Sequence, residues 1–225
     1  MSLSFGITLI IVIITCLVSI GGFSQQKIVE DLIFYPPAVK HGQYYRFISH
    51  GFIHADVAHL AFNMIALYSF GNNLEKIFSF DCVFGHLGKV FYLLLYLSAL
   101  IVASLPDYIR YKNLYHFRSL GASGAVSAVI FSMLIFFPQT PVGLIFLPVR
   151  VPGYVFALVY LALTVYLDRR GGGNINHSAH FWGAAYGIVF TLVFCKLFAN
   201  YFDVYSNFIT QLKSSSASFT LICDY

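Results

Sequence analysis

The sequence is 225 residues long; 59% of the residues are hydrophobic, 10% are charged, and the formal net charge is +4. Soluble domains carry about 25% charged residues, so this composition leaves too little polar surface for an ordinary water-soluble fold. It favours a chain embedded in a lipid bilayer, and the small net charge indicates no nucleic-acid partner.

Six windows without charged side chains predict six membrane-spanning helices, because about 20 mostly apolar residues cross a bilayer as a helix. Strand-sized alternation of apolar and polar residues is absent, which favours helices over the strands of a membrane barrel. The sequence therefore predicts an all-α polytopic membrane protein with a single domain over residues 1–225. The predicted spans are 4–23, 57–74, 88–105, 121–138, 152–168 and 178–199.

The regions outside these spans carry fewer signals. A secretory signal peptide is the alternative for the first span, but no Lys or Arg precedes its apolar core, so we expect a retained helix. The mixed composition of Ser24 to Asp56 predicts a folded interfacial segment. The four cysteines show no paired spacing, and we interpret them as packing residues with a free thiol in the tail.

Four polar side chains lie inside the predicted spans at one shallow depth. His59 and Asn63 lie in the first two turns of the second span, Ser123 lies in the first turn of the fourth, and His180 lies in the first turn of the sixth. Even-numbered spans start from the same membrane face, so we expect these four side chains to lie near one another. Polar groups in hydrocarbon are costly and usually functional, which makes this a candidate site.

Glycines accompany the serine and the histidine. Gly121 and Gly124 flank Ser123, and Gly183 and Gly187 form a G-x-x-x-G pair on the sixth span. Small residues let membrane helices pack closely. We therefore expect the fourth and sixth spans to bring the Ser123 hydroxyl within hydrogen-bond reach of His180.

This arrangement is typical of nucleophilic catalysis. A serine hydroxyl attacks well only when a neighbouring base accepts its proton, and His180 is suited to that role near neutral pH. The Ser123 N–H, the Asn63 amide and His59 are the candidate donors to an oxyanion. Apart from Asp168, the last residue of the fifth predicted span, no Asp or Glu lies in a predicted span, so we expect a Ser–His dyad that needs no cofactor and no metal.

Each motif also has a simpler interpretation. The glycine-flanked serine and the glycine pair are often packing features, and His59 with Asn63 can join helices structurally. A metal site is an alternative for His41, His50, His54 and His177, and the buried histidines also allow a small histidine-containing transporter. No H-E-x-x-H accompanies these residues. The conjunction of the four side chains at one depth favours the catalytic interpretation.

From about Tyr45 to Phe190 the chain resembles the rhomboid intramembrane serine proteases. This resemblance implies a six-helix bundle, a dyad of Ser123 and His180, and oxyanion roles for His59 and Asn63. It implies hydrolysis of peptide bonds in or near transmembrane segments of membrane-protein substrates, with the bilayer as the surrounding partner. The motifs that carry it are His59-x-x-x-Asn63, Gly121-x-Ser123-Gly124 and Ala179-His180-x-x-Gly183-x-x-x-Gly187.

Three further features bear on the resemblance. Tyr45–Arg46 is similar to the family's Trp-Arg element, with Tyr in place of Trp, and Glu75 resembles a family glutamate in the loop after the second span. Ser127 is a departure, because many members have a Tyr there that lies under the catalytic imidazole.

The resemblance also implies an orientation, with a cytoplasmic N-terminus and the site near the outer face. Loop charges oppose that orientation, because eight of the 13 Lys and Arg would then lie outside. From the short chain we expect a prokaryotic plasma membrane, with an organellar membrane as the alternative. The alternative on the same scaffold is a catalytically inactive membrane chaperone or retrotranslocation factor. A loop of glycines at 171–173 suggests a lid before the sixth span.

Overall fold

The computed structural model describes residues 6–143, 149–171, 175–213, 221 and 223. In these residues the chain is mostly α-helical, which confirms the predicted fold class. Six long helices overlap the six predicted spans. They are α1 (Ile7–Ser24), α5 (Val57–Phe78), α6 (Gly88–Tyr111), α7 (Ser123–Phe136), α8 (Gly153–Arg170) and α9 (His177–Phe198).

Not all of these helices meet the length and hydropathy expected of a membrane span. Among the described residues three do: Ile7–Ser24, Gly85–Tyr111 and His177–Phe198. Ser123–Phe136 is apolar but shorter. The number of six spanning helices therefore stays a prediction, whereas a membrane protein with apolar helices is shown.

The connection from α1 to α5 is folded, as predicted. Arg46 in this connection is buried, and its guanidinium donates to the carbonyl oxygens of Glu30 and Ile33 at 2.9 and 2.7 Å. These bonds tie the end of the segment back onto its beginning. Its helices are α2 (Gln26–Leu32), α3 (Pro36–Lys40) and α4 (Arg46–Ser49), followed by a 3₁₀ turn at His50–Phe52.

Two elements were not predicted. A two-stranded antiparallel hairpin, β1 (Pro141–Gly143) with β2 (Arg150–Pro152), precedes α8, and α10 (Val204–Lys213) packs against α7 and α9. Three-residue strands are too short for alternation to show in a sequence. Residues 144–148 of the hairpin connection lie outside the described residues.

The expectation that no acidic residue lies in a spanning helix is wrong. Glu75 lies inside α5 rather than in the following loop, and Asp107 lies inside α6; both are almost fully buried. The Glu75 carboxylate accepts hydrogen bonds from the N–H groups of Ile7 and Thr8 at 2.8 and 2.9 Å. These helices continue past the charge-free windows because the buried carboxylates have hydrogen-bond donors.

The interpretation of the cysteines is wrong for two of the four. Cys82 and Cys223 form a disulfide, although 141 residues separate them in the chain, while Cys16 and Cys195 are free. Cys82 follows α5 at the end away from His59, so this disulfide lies at the opposite end of the bundle from the polar cluster. Such a long separation leaves no spacing signal in the sequence.

Candidate active site

Helices α7 and α9 pack backbone against backbone. A Cβ atom added at Gly183 would lie 2.7 Å from the carbonyl carbon of Gly124, and one at Gly187 would lie 2.7 Å from the Cα of Ala128. Both distances are well below 3.4 Å, where ordinary van der Waals contact starts. Glycine at these positions of α9 is therefore what permits the close approach.

This packing places Ser123 beside the start of α9. A Cβ atom at Gly124, the residue after the serine, would lie 3.3 Å from the carbonyl oxygen of Ala179, the residue before His180. Ser123 is the first residue of α7, and His180 lies in the first turn of α9. The chain segments that carry the two side chains are thus in direct contact.

A backbone turn at Gly121 delivers the chain into α7. Gly121 has a φ of +111°, a conformation that favours glycine, and its N–H donates to the His50 carbonyl at 2.9 Å. A Cβ atom there would lie 2.7 Å from Cε1 of His59. The glycine therefore both forms the turn and leaves room for the imidazole of His59.

The start of α9 is fixed by Asn176. Its side-chain oxygen accepts from the N–H of Ala179 at 3.0 Å, as an N-cap does. Its amide nitrogen donates to the Asp107 carboxylate at 2.6 Å and to the Ser119 hydroxyl at 3.1 Å. This bonding joins the end of α6, the segment before α7 and the first turn of α9, and it fixes the backbone that carries His180.

The four polar side chains singled out from the sequence line one cavity. Its volume is about 920 Å³, and Ser123, His180, His59 and Asn63 all contribute to its wall. Ser123, His59 and His180 are half-buried, and Asn63 is buried. The cavity also reaches the polar residues Asp107 and Asn176.

The two candidate oxyanion residues lie on one face of α5. The Asn63 amide nitrogen donates to the backbone oxygen of His59 at 3.0 Å, which leaves a second N–H of that amide free of this bond. The N–H of His59 donates to the N-cap carboxylate of Asp56 at 2.7 Å. The amide and the imidazole can therefore both present donors to the cavity.

His54 contacts both the backbone before Ser123 and the ring of His59. Its Nε2 accepts from the N–H of Ala122 at 3.4 Å, and its Nδ1 lies 3.0 Å from the Ser19 hydroxyl, which donates to the carbonyl of Phe52. Its ring also meets the His59 ring edge-on, with centroids 4.9 Å apart. Burial lowers the pKa of His54 to about 3, so this imidazole is neutral near pH 7.

His50 has a similar structural environment. Its Nε2 lies 3.0 Å from the Ser104 hydroxyl, and burial lowers its pKa to about 4. Within the residues that the structure describes, no group of three or more His, Cys, Asp or Glu side chains is placed to hold a metal ion. The hydrogen bonds of His50 and His54 give both residues a place in the packing.

Sequence analysis missed three residues of this region: Tyr160, Asp107 and Asn176. Tyr160 on α8 lines the cavity, and its ring is stacked on that of His180 with centroids 6.3 Å apart and planes 18° apart. An aromatic residue in an apolar helix carries no signal of such a role. Asp107 lies just beyond a predicted span, and an Asn before an apolar helix was a capping signal that could have been used.

The fold and the cavity together define a helical membrane protein that gathers a serine, two histidines and an amide at one end of its bundle. The Rhomboid domain family matches residues 41–197, which is more than half of the chain. The chain therefore belongs to the rhomboid family.

Relatives with curated names extend this finding. The chain is 29% identical over 171 residues to RHOMBOID-like protein 12, mitochondrial, of Arabidopsis thaliana, a match that covers 72% of this chain and 50% of the relative. It is 30% identical over 139 residues to the human Presenilin-associated rhomboid-like protein, mitochondrial (61% and 34%). With Rhomboid protein 1, mitochondrial, of Saccharomyces cerevisiae it shares 29% over 147 residues (64% and 40%).

These matches cover between about a third and a half of each relative's length. The names of all three relatives place them in mitochondria, which does not fit the expected prokaryotic plasma membrane. The glycines at 172 and 173, on which the lid hypothesis depends, lie outside the described residues.

Proposed function

We propose that this protein hydrolyses peptide bonds in or near transmembrane segments, with Ser123 as the nucleophile and His180 as the general base. The observation that supports the proposal best is the shared cavity. Ser123 and His180 come from different helices, their adjacent backbones touch, and both side chains line the same wall together with His59 and Asn63. Unrelated packing residues have no reason to converge in this way.

The proposed reaction follows from the positions of these groups. His180 removes the proton from the Ser123 hydroxyl as the oxygen attacks the scissile carbonyl, and the oxyanion accepts hydrogen bonds from the Ser123 N–H, Asn63 and His59. His180 then gives the proton to the leaving amine, which releases one product and leaves an acyl-serine. A water molecule, deprotonated by His180, hydrolyses that ester and restores the serine.

Water and substrate need a route to the serine. The cavity has room for both, and its wall includes polar groups that keep it wet, among them Asp56, Asp107 and Arg118. A helix hides its carbonyl groups in its own hydrogen bonds, so a substrate helix must unwind locally before Ser123 can attack it. We therefore expect the cut to fall at small or helix-breaking residues.

The test is cleavage of a single-pass membrane protein by the purified chain in detergent. We expect cleavage by the wild type and none by Ser123→Ala or His180→Ala. Matched controls are Ser69→Ala, an exposed serine on α5, and His86→Ala, an exposed histidine in the 3₁₀ turn Gly85–Leu87 before α6, and both should retain wild-type cleavage. Equal cleavage by wild type and Ser123→Ala, or none by the wild type, would overturn the proposal.

The second candidate is a rhomboid-like protein that binds membrane proteins without cutting them. The Arabidopsis and human relatives are named rhomboid-like proteins, and this supports the candidate. The same cleavage assay separates the two functions when it is combined with co-purification of the substrate. Co-purification with both wild type and Ser123→Ala, without cleavage by either, supports the non-catalytic protein. For either function, the names of the relatives favour a mitochondrial membrane as the location.

A further inference from the structure

An aromatic ring lies parallel to the imidazole of the proposed base. The ring of Tyr160 on α8 is stacked on that of His180, with centroids 6.3 Å apart and planes 18° apart. Aromatic pairs favour offset parallel arrangements with centroids about 4.5–7 Å apart, so the two rings are at stacking distance. Tyr160 is half-buried and lines the same cavity as Ser123 and His180.

The Tyr160 ring is fixed from two sides. Its hydroxyl lies 2.7 Å from the hydroxyl of Ser127, which is buried on α7 one turn after Ser123. Its ring also packs against Phe131 and Phe156, with centroids 5.4 and 5.5 Å away. The hydrogen bond and the ring contacts together fix the orientation of the Tyr160 ring, against which the His180 ring is stacked.

The helix that carries the nucleophile does not supply this ring. Ser127 is four residues after Ser123 and so lies on the same side of α7. Its short side chain cannot cover an imidazole, but its hydroxyl bonds the tyrosine that does. A serine on α7 and a tyrosine on α8 thus do together what a single larger side chain on α7 could do alone.

We propose that Tyr160, seated by Ser127, is a positioning residue that holds the His180 ring in the orientation needed to accept the Ser123 proton. The inference rests on the proposed function, because it assigns a support to that base. An imidazole has a broad torsional preference about its second side-chain angle, so a stacked ring restricts a motion that rotamer preferences leave open. Misplacement of a reacting group by about 1 Å can cost about 10²-fold in rate.

The experiment compares Tyr160→Leu, which removes the ring, with Tyr160→Phe, which removes only the hydroxyl. For Tyr160→Leu we expect the rate constant for labelling of Ser123 by a fluorophosphonate to fall about tenfold or more, in line with a stacking contact and the orientation it provides. Tyr160→Phe and Ser127→Ala should show smaller losses, because the ring remains. In substrate cleavage kcat should fall while KM is unchanged.

The fraction of protein molecules that the fluorophosphonate finally labels separates a positioning role of Tyr160 from a role in folding. If Tyr160 has a merely structural role, its loss reduces the fraction of molecules that ever become labelled. If it has a positioning role, all molecules still become labelled, but more slowly. The matched controls are Tyr166→Leu and Tyr166→Phe, at a tyrosine of the same helix that is 58% exposed, and both should label at the wild-type rate.

The outcomes distinguish this inference from the proposed function. An active wild type whose labelling rate is the same in Tyr160→Leu overturns the positioning role alone. A loss that appears only as a smaller labelled fraction also overturns it, because the ring would then serve folding. A wild type that neither labels nor cleaves overturns the proposed function and the positioning role with it.

Discussion

Replacing Gly183 by alanine should disable the site without touching a proposed catalytic residue. The new Cβ atom would lie 2.7 Å from the carbonyl carbon of Gly124, where ordinary contact starts at 3.4 Å, and it would lie nearer still to the carbonyl oxygen. The two helices must therefore separate locally by at least 0.7 Å (3.4 − 2.7). Gly124 directly follows Ser123, so the shift acts on the nucleophile.

The size of the effect follows from that displacement. A shift of this order between reacting groups can cost about 10²-fold in rate, and we expect the rate constant for fluorophosphonate labelling to fall by about that factor. Helix propensity acts in the opposite direction, since alanine favours a helix over glycine by about 1 kcal/mol. A loss of activity therefore reports the packing of α7 against α9 and not a weaker helix.

The matched control for this change is Gly21→Ala on α1. A Cβ atom at Gly21 would meet only the end of the flexible Ile28 side chain, at 3.3 Å, so the variant should label at the wild-type rate. Both variants should be compared at equal amounts of folded protein, measured by size-exclusion chromatography in detergent. If Gly183→Ala labels as fast as the wild type, the close packing of the two helices does not set the position of Ser123.

Three other predictions concern residues around the cavity. Asn63→Ala should lower kcat for substrate cleavage by about 10²–10³ with little change in KM if its amide serves the oxyanion, and an unchanged kcat would refute that role. Asn176→Ala removes the N-cap of α9 at a cost of about 1 kcal/mol, so thermal unfolding in detergent should begin at a lower temperature; an unchanged unfolding temperature would contradict it. Because the pKa of buried His54 is lowered from 6.5 to about 3, the unfolded chain binds more protons between these values, and stability should fall as the pH drops from 6.5 towards 3. Thermal unfolding at pH 7.5 and 4.5 tests this, and His54→Gln should weaken the dependence without abolishing it, because buried His50 also has a lowered pKa.

The positions of the helices could be predicted because lipid imposes one rule along the whole chain. Long charge-free windows located all six long helices to within a few residues at most ends. The rule failed where a charged residue is buried with its own donors, as at Glu75 and Asp107. A window that stops at the first charge cannot distinguish such a carboxylate from the end of a helix.

The meeting of Ser123 and His180 in one cavity could be predicted from the order of the helices. Helices that start from the same face place their first turns at one level, and the glycines of α9 indicated which pair lies closest. The stacking of Tyr160 could not be predicted, because it depends on the rotation of α8 about its own axis. The disulfide between Cys82 and Cys223 depends in the same way on a contact between distant segments.

The most direct measurement is to map, by mass spectrometry, the residue that a fluorophosphonate modifies in the purified protein. The pairing of Ser123 with His180 predicts a single modified serine, Ser123, and a rate of modification that falls sharply in His180→Ala. Modification of another residue, or the same rate with and without the His180 imidazole, would contradict it.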